Sequence, residues 1–149
     1  MTLFYFFEQI YNHFLSFCVK VLKKTIGTDR SIILKPNVSF NELYKLNKLA
    51  TFYWHFTGFG INEDQHPELV EHLGIAPLEA MASGCVVFCY NAGGPKELVK
   101  DGENGFLFSN EKELIKKTRS VVENFDLRQR VVSNAQKYFK ERVRGVLSL

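Results

Sequence analysis

The chain has 149 residues, 46% hydrophobic and 23% charged. That composition supplies one domain with a real core and excludes a disordered, collagen-like or coiled-coil chain. Nineteen basic against sixteen acidic residues leave a formal charge of +3, and the basic residues are scattered without interleaved aromatics, so no nucleic-acid partner is expected. Cys18, Cys85 and Cys89 leave one thiol unpaired under any disulfide scheme, which points to a reducing, cytoplasmic compartment.

Residues 1–24 open the chain. Leu3 to Leu22 hold Phe4, Tyr5, Phe6, Phe7, Phe14 and Phe17, crossed by a polar stripe of Glu8, Gln9, Asn12, His13, Ser16 and Lys20. A membrane span needs about 20 nearly uninterrupted apolar residues, and a signal peptide needs a basic start and a small-residue cleavage site. The pattern instead predicts an amphipathic helix half-buried on its own domain. Lys20, Lys23 and Lys24 follow it, so peripheral contact with a membrane surface stands as the alternative. Gly27-Thr28-Asp29 breaks this helix, Ser31–Lys35 reads as a strand, and Pro36-Asn37 ends the strand. Ser39 to Glu42 fits a capping box, and Phe40, Leu43, Tyr44, Leu46 and Leu49 are expected to give the following helix one buried face. Thr51–His55, rich in β-formers, is the next strand.

From Phe56 to Glu71 the chain is polar and holds Gly58, Gly60, Asn62, Glu63, Asp64, His66 and Pro67. A connection of that length inside a compact domain is usually functional. A helix opens at Gly74-Ile75, with Pro77 tolerable only in its first turn. Cys85–Cys89 is a short apolar run whose alternation places residues 85, 87 and 89 on one face, as small core hydrophobes. Asn91-Ala92-Gly93-Gly94 is a sharp turn, and Pro95 starts a short helix through Val99. Asp101-Gly102 and Asn104-Gly105 flank a strand, Gly105–Phe108. Two helices finish the chain, with Asn110 and Asp126 expected as N-caps. Strands alternating with helices predict an α/β fold with a doubly wound, mostly parallel sheet. Residues 31–109 form its core and residues 110–149 its closing helices, within a single domain.

Ligands of open parallel sheets bind beyond the carboxyl ends of the strands. The loop after Trp54-His55 leads there, to Glu71 and the helix that begins at Gly74-Ile75 and carries Glu79. A glycine lets backbone approach a ligand closely, and the first turn of a helix offers unpaired N–H groups to an anion. With a carboxylate on each side, this suits a diphosphate set between two hydroxyl-rich groups, as in a nucleotide sugar. A rival chemistry is metal-dependent hydrolysis, because His55, His66 and His72 fall close together with Glu63, Asp64, Glu68 and Glu71. No HExxH or short His-x-His pair is present, loop carboxylates are usually solvated, and no metal is expected.

The segment from Glu71 to Cys85, with Glu79 eight residues after Glu71, closely resembles the E-x7-E signature of family 4 retaining glycosyltransferases. Asn91 to Val99 and Asp101 to Leu107 are similar to that family's next two blocks. Pro36-Asn37-Val38-Ser39, followed by Trp54-His55 and Gly58-Phe59-Gly60, resembles members that transfer mannose or related hexoses. The likeness runs in order from about Ile33 to Phe139. It implies the C-terminal, donor-binding half of a GT-B enzyme, Rossmann-like, with its first strands missing. Transfer would proceed with retention, from a nucleotide diphosphate sugar such as GDP-mannose to a glycan or lipid-linked acceptor.

By the same resemblance, Glu71 would be the catalytic residue, contacting hydroxyls of the transferred sugar. Glu79 would bind the ribose hydroxyls, and Gly74, Ile75 and Ala76 the diphosphate or nearby sugar oxygens. Asn37 and Val38 would border the base, with His55 and Gly58 also on the donor side. Such enzymes need no bound metal and no cofactor. The family's phosphate-gripping Arg and Lys would precede this chain, Lys96 being a poor substitute. Activity is therefore expected to require a separate N-terminal, acceptor-binding chain. A non-catalytic nucleotide-sugar-binding module, docking through Phe4, Phe7, Tyr11 and Phe14, is the alternative.

Overall fold

The computed structural model describes residues 38–147; the expected helix at Leu3–Leu22, the strand at Ser31–Lys35, and Cys18 and Asn37 lie outside the described residues. Two compact units divide the chain, Met1–Leu43 and Tyr44–Leu149. The elements follow the order α1 (Phe40–Leu49), β1 (Phe52–His55), a 3-10 turn (Pro67–Leu69), α2 (Ile75–Ser83), β2 (Val86–Tyr90), α3 (Pro95–Leu98), β3 (Phe106–Phe108), α4 (Glu111–Glu123) and α5 (Phe125–Leu147). The alternation gives the expected α/β fold, with three parallel strands in the order β1-β2-β3. Phe52 pairs with Val86 and His55 with Cys89, while Phe88 pairs with Phe106 and Tyr90 with Phe108.

The period-2 alternation of β2 decides which side chains meet which layer. Cys85, Val87 and Cys89 pack with Ala80 and Met81 of α2, with Leu98 and Val99, and with Ala135 of α5. Val86 and Phe88 turn to the other face, against Phe106, Phe108, Val121 of α4 and Val131 of α5. Phe88, Phe108 and Met81 are fully buried, each contributing roughly 1.5–3 kcal/mol of apolar transfer energy. The two cysteines are core side chains, as the alternation predicts. Cys85 Sγ donates to the Asn47 carbonyl at 3.1 Å and to the Ala50 carbonyl at 3.5 Å. Burial pushes its thiol up to about 11 and that of Cys89 higher still, so both stay protonated and inert.

Two local expectations are corrected. On α1, Phe40, Tyr44 and Leu49 are exposed, and the buried positions are Leu46 and Asn47. The inward stripe is 46, 47 and 50, with the Asn47 and Ala50 carbonyls meeting the Cys85 thiol, so of the expected apolar stripe Leu46 is buried while Phe40, Tyr44 and Leu49 are not. Ser39 does cap this helix, its Oγ accepting the Glu42 N–H at 3.3 Å. The N-cap of α5 is Asn124 rather than Asp126: Asn124 Oδ1 accepts the Leu127 N–H at 2.8 Å. Asp126 sits inside the first turn, where its charge still favours the helix dipole. Asn110 caps α4 as expected, through Glu113 N–H at 3.0 Å. No helix among the described residues is long and apolar enough to cross a membrane.

Candidate functional site

Beyond the carboxyl ends of β1 and β2, three stretches of chain close on one another: the loop after His55, the turn at 71–74 that opens α2, and the turn at 91–94. The long loop is not loose. Phe56 and Phe59 stack edge-on to each other at 5.8 Å, and both reach Phe108, while Phe59 also meets Tyr90 at 5.3 Å. Asn62 Oδ1 accepts the Asp64 N–H, and the Asn62 carbonyl accepts the Gln65 and His66 N–H groups, a local turn of the kind asparagine favours. A Cβ on Gly58 would lie 2.9 Å from Val70, so the glycine lets the loop fold flat onto buried Val70.

Glu71 is the hub. Its Oε1 accepts the N–H groups of Leu73 at 3.1 Å and Gly74 at 3.0 Å, while Oε2 lies 3.6 Å from His55 Nε2. Partial burial works against the Glu71 charge, but the Gly74 and Leu73 amides, with His55 and His72, carry its carboxyl below the usual range. His55 is buried and Thr57 Oγ1 stands 3.3 Å from its Nε2. Its Nδ1 is buried without a hydrogen-bond partner. A proton on Nε2 is the tautomer that faces Glu71 favourably. Desolvation lowers the His55 pKa, and the Glu71 charge only partly opposes this.

The helix start is therefore partly self-capped. Gly74, at φ 67°, turns the chain into α2, and a Cβ there would strike the Leu98 side chain. Its N–H is taken by Glu71, the Leu78 N–H bonds to the Gly74 carbonyl, and Pro77 has no N–H to offer. Ile75 and Ala76 are left as the two amides at the N-terminus of α2 with no acceptor among the described residues, and Ile75 is exposed. One turn on, half-buried Glu79 makes no side-chain hydrogen bond among the described residues. Behind both acids stands Tyr53, whose ring stacks beside His55 at 6.3 Å. Its phenol is pushed far up by burial first, then by Cys89, Glu71 and Glu79.

The sequence thus brings Glu71, His55, Gly74, Ile75, Ala76 and Glu79 to one place, with Gly58 just beneath. Val38 belongs to the unit Met1–Leu43, one residue before the α1 cap. Three contributors were missed by sequence reasoning. Tyr53 looks like any strand aromatic. Glu63, expected to be solvated, accepts the Gly93 N–H at 2.8 Å and pairs with Lys96. The Gly93-Gly94 turn lies backbone to backbone on Glu71 and His72, with the Gly94 N–H donated to the Glu71 carbonyl at 2.7 Å; its double glycine was the available signal. No three His, Cys, Asp or Glu side chains among the described residues come together as a metal site, and His66 pairs only with Glu68 on the surface.

The family model described as "Glycosyl transferases group 1" matches residues 64–138, half of the chain. Over 78 residues, 52% of this chain, the sequence is 33% identical to the mouse GDP-Man:Man(3)GlcNAc(2)-PP-Dol alpha-1,2-mannosyltransferase, of which it covers 14%. Among solved structures, the C-terminal domain of a group 1 glycosyl transferase, LpcC from Francisella tularensis, superposes with a TM-score of 0.66 at 22% identity, over 88% of this chain and 63% of that one. Anabaena HepE, solved in complex with UDP and glucose, gives 0.69 at 22% identity, over 93% of this chain and 38% of its own.

Proposed function

Since the chain belongs to the glycosyl transferases group 1 family, we propose that it is the donor-binding half of a hexosyltransferase using a nucleotide diphosphate sugar. The observation that carries this reading is the start of α2, where Ile75 and Ala76 present open amides between a fixed Glu71 and an unbonded Glu79. In this account the diphosphate sits against those two amides, which, with the positive end of the helix, take up charge as the nucleoside diphosphate leaves. Glu79 accepts from the ribose hydroxyls. Glu71, its Oε1 held from behind by two amides and its Oε2 faced by His55, accepts from a hydroxyl of the transferred sugar through Oε2; its role is to orient that sugar. Gly74 shapes the turn that makes both possible.

Mannose carried on GDP is the donor we propose, supported by the local likeness to the mouse mannosyltransferase, with transfer retaining configuration as the resemblance of Glu71–Glu79 to the family 4 signature implies. We further propose that acceptor recognition belongs to a separate N-terminal half and that residues 1–24 make peripheral membrane contact in a cytoplasmic setting. Calorimetric titration with GDP, UDP and ADP tests the donor reading. Binding of one nucleotide that Glu79→Ala abolishes is expected; binding unchanged by Glu79→Ala would reject the assignment of the ribose site.

A further inference from the structure

Glu63 lies in the middle of the long loop, thirty residues from the turn it touches. One carboxylate oxygen accepts the Gly93 N–H at 2.8 Å, and the other pairs with Lys96 Nζ. Glu63 and Lys96 are half-exposed, yet each has the other within reach. What the pair holds is unusually close backbone packing. Gly93 adopts φ +57°, and the Glu71 carbonyl oxygen comes too close for a Cβ there; the His72 carbonyl does the same at Gly94. The Gly94 N–H then donates to the Glu71 carbonyl at 2.7 Å. Glu63 therefore fastens the 91–94 turn to the loop, and that turn is the surface on which the backbone of Glu71 rests.

We infer that Glu63 is a positioning residue of the donor site: by clasping the Gly93 amide and the Lys96 ammonium, it seats the Gly93-Gly94 turn against Glu71 and so fixes the carboxylate and the helix start that meet the donor. Resting on the donor-binding reading above, this adds a specific device to it. The clasp also removes Lys96 from the anions available to it, so Lys96 acts here as a partner for Glu63 rather than as a grip on phosphate. The Lys96 and Gly93 bonds both hold the Glu63 carboxyl below its ordinary range, so the clasp stays charged throughout the neutral pH window.

The test uses the full chain labelled with 15N, comparing wild type with Glu63→Gln, Glu63→Ala and Lys96→Arg. The Gly93 amide resonance should titrate with an acid group below the ordinary glutamate range, and that titration should vanish in Glu63→Gln. In Glu63→Ala the Gly94 and Gly74 amides should exchange faster with solvent, and the affinity for GDP or UDP should fall roughly tenfold, the loss of about one charge-assisted hydrogen bond. Glu63→Gln keeps an oxygen for Gly93 and should lose less than Glu63→Ala, and Lys96→Arg, which keeps Glu63 and a cation for it, should stay close to wild type. A residue that merely stabilised the fold would lower the melting temperature without this ordered rescue. Wild-type protection of Gly94 and Gly74 in Glu63→Ala would overturn the inference. Tighter nucleotide binding by Glu63→Ala would also overturn it, showing a loop that covers the site. If no form of the chain binds nucleotide, the amide measurements still decide the clasp, and the failure falls on the donor reading instead.

Discussion

Replacing Gly93 with alanine isolates the backbone packing on which the site rests. Gly93 has φ +57°, and an added Cβ would overlap the Glu71 carbonyl oxygen and crowd Val70. Gly102 is the matched control, with φ +75° and nothing within 4 Å of its Cβ position. Both substitutions incur the left-handed cost of about 1–2 kcal/mol, reduced by about 0.4–1 kcal/mol through the lower entropy of the unfolded chain. Only Gly93→Ala adds an overlap with main chain that no side-chain rotation relieves, worth about 1–3 kcal/mol by analogy with overpacked cores. Gly93→Ala should therefore destabilise by about 2–4 kcal/mol and Gly102→Ala by about 1 kcal/mol or less. Urea unfolding of the two variants reads the difference, and thermal scans should separate them by several degrees at about 2–4 °C per kcal/mol. Equal losses in the two variants would refute the claim that the 91–94 turn is pressed onto Glu71.

Three further outcomes follow from the same geometry. Glu71→Ala frees two amides that water can partly re-solvate, so it should cost only about 1–2 kcal/mol in stability; Glu71→Gln keeps an acceptor for Leu73 and Gly74 and should unfold close to wild type. His55 has a lowered pKa because burial disfavours its charge, so the unfolded chain takes up its proton first as pH falls. Its contribution is complete above the unfolded value of about 6.5 and is lost as pH drops from there toward the folded value. His55→Asn should flatten that part of the stability profile measured by denaturant titration, and an unchanged slope would contradict it. Asn104 is buried, accepting the Lys100 N–H at 2.7 Å and donating to the Leu98 carbonyl at 3.1 Å. Asn104→Ala leaves both unpaired and should cost about 2–4 kcal/mol in chemical unfolding.

What the sequence made legible was whatever depends on neighbours along the chain. Residues 85 to 89 alternate, and Cys85 with the Val87 and Cys89 of β2 indeed joins one core while Val86 and Phe88 join the other. Asn110 caps α4 because a cap is decided within four residues. The same rule misplaced the start of α5, where Asn124 and Asp126 both carry capping side chains and only geometry chooses between them. The buried face of α1 was only half read: Leu46 is buried as expected, but Asn47 beside it is buried too and its main-chain carbonyl meets Cys85, thirty-eight residues away. Glu71, Gly74 and Glu79 were legible because their spacing encloses a helix start. Glu63 was not, since its partners lie thirty and thirty-three residues on, and a loop carboxylate carries no local sign of whether it is solvated or clasped.

Donor binding in this fold rests on the two open amides at the start of α2. Amide chemical-shift mapping of the full chain during titration with GDP and UDP addresses them directly. The expected result is that the largest shifts fall on Ile75 and Ala76, with smaller ones around Glu79, while the Leu73 and Gly74 amides, already bonded to Glu71, move little. Shifts centred elsewhere on the fold, with Ile75 and Ala76 unmoved at saturating nucleotide, would contradict the account.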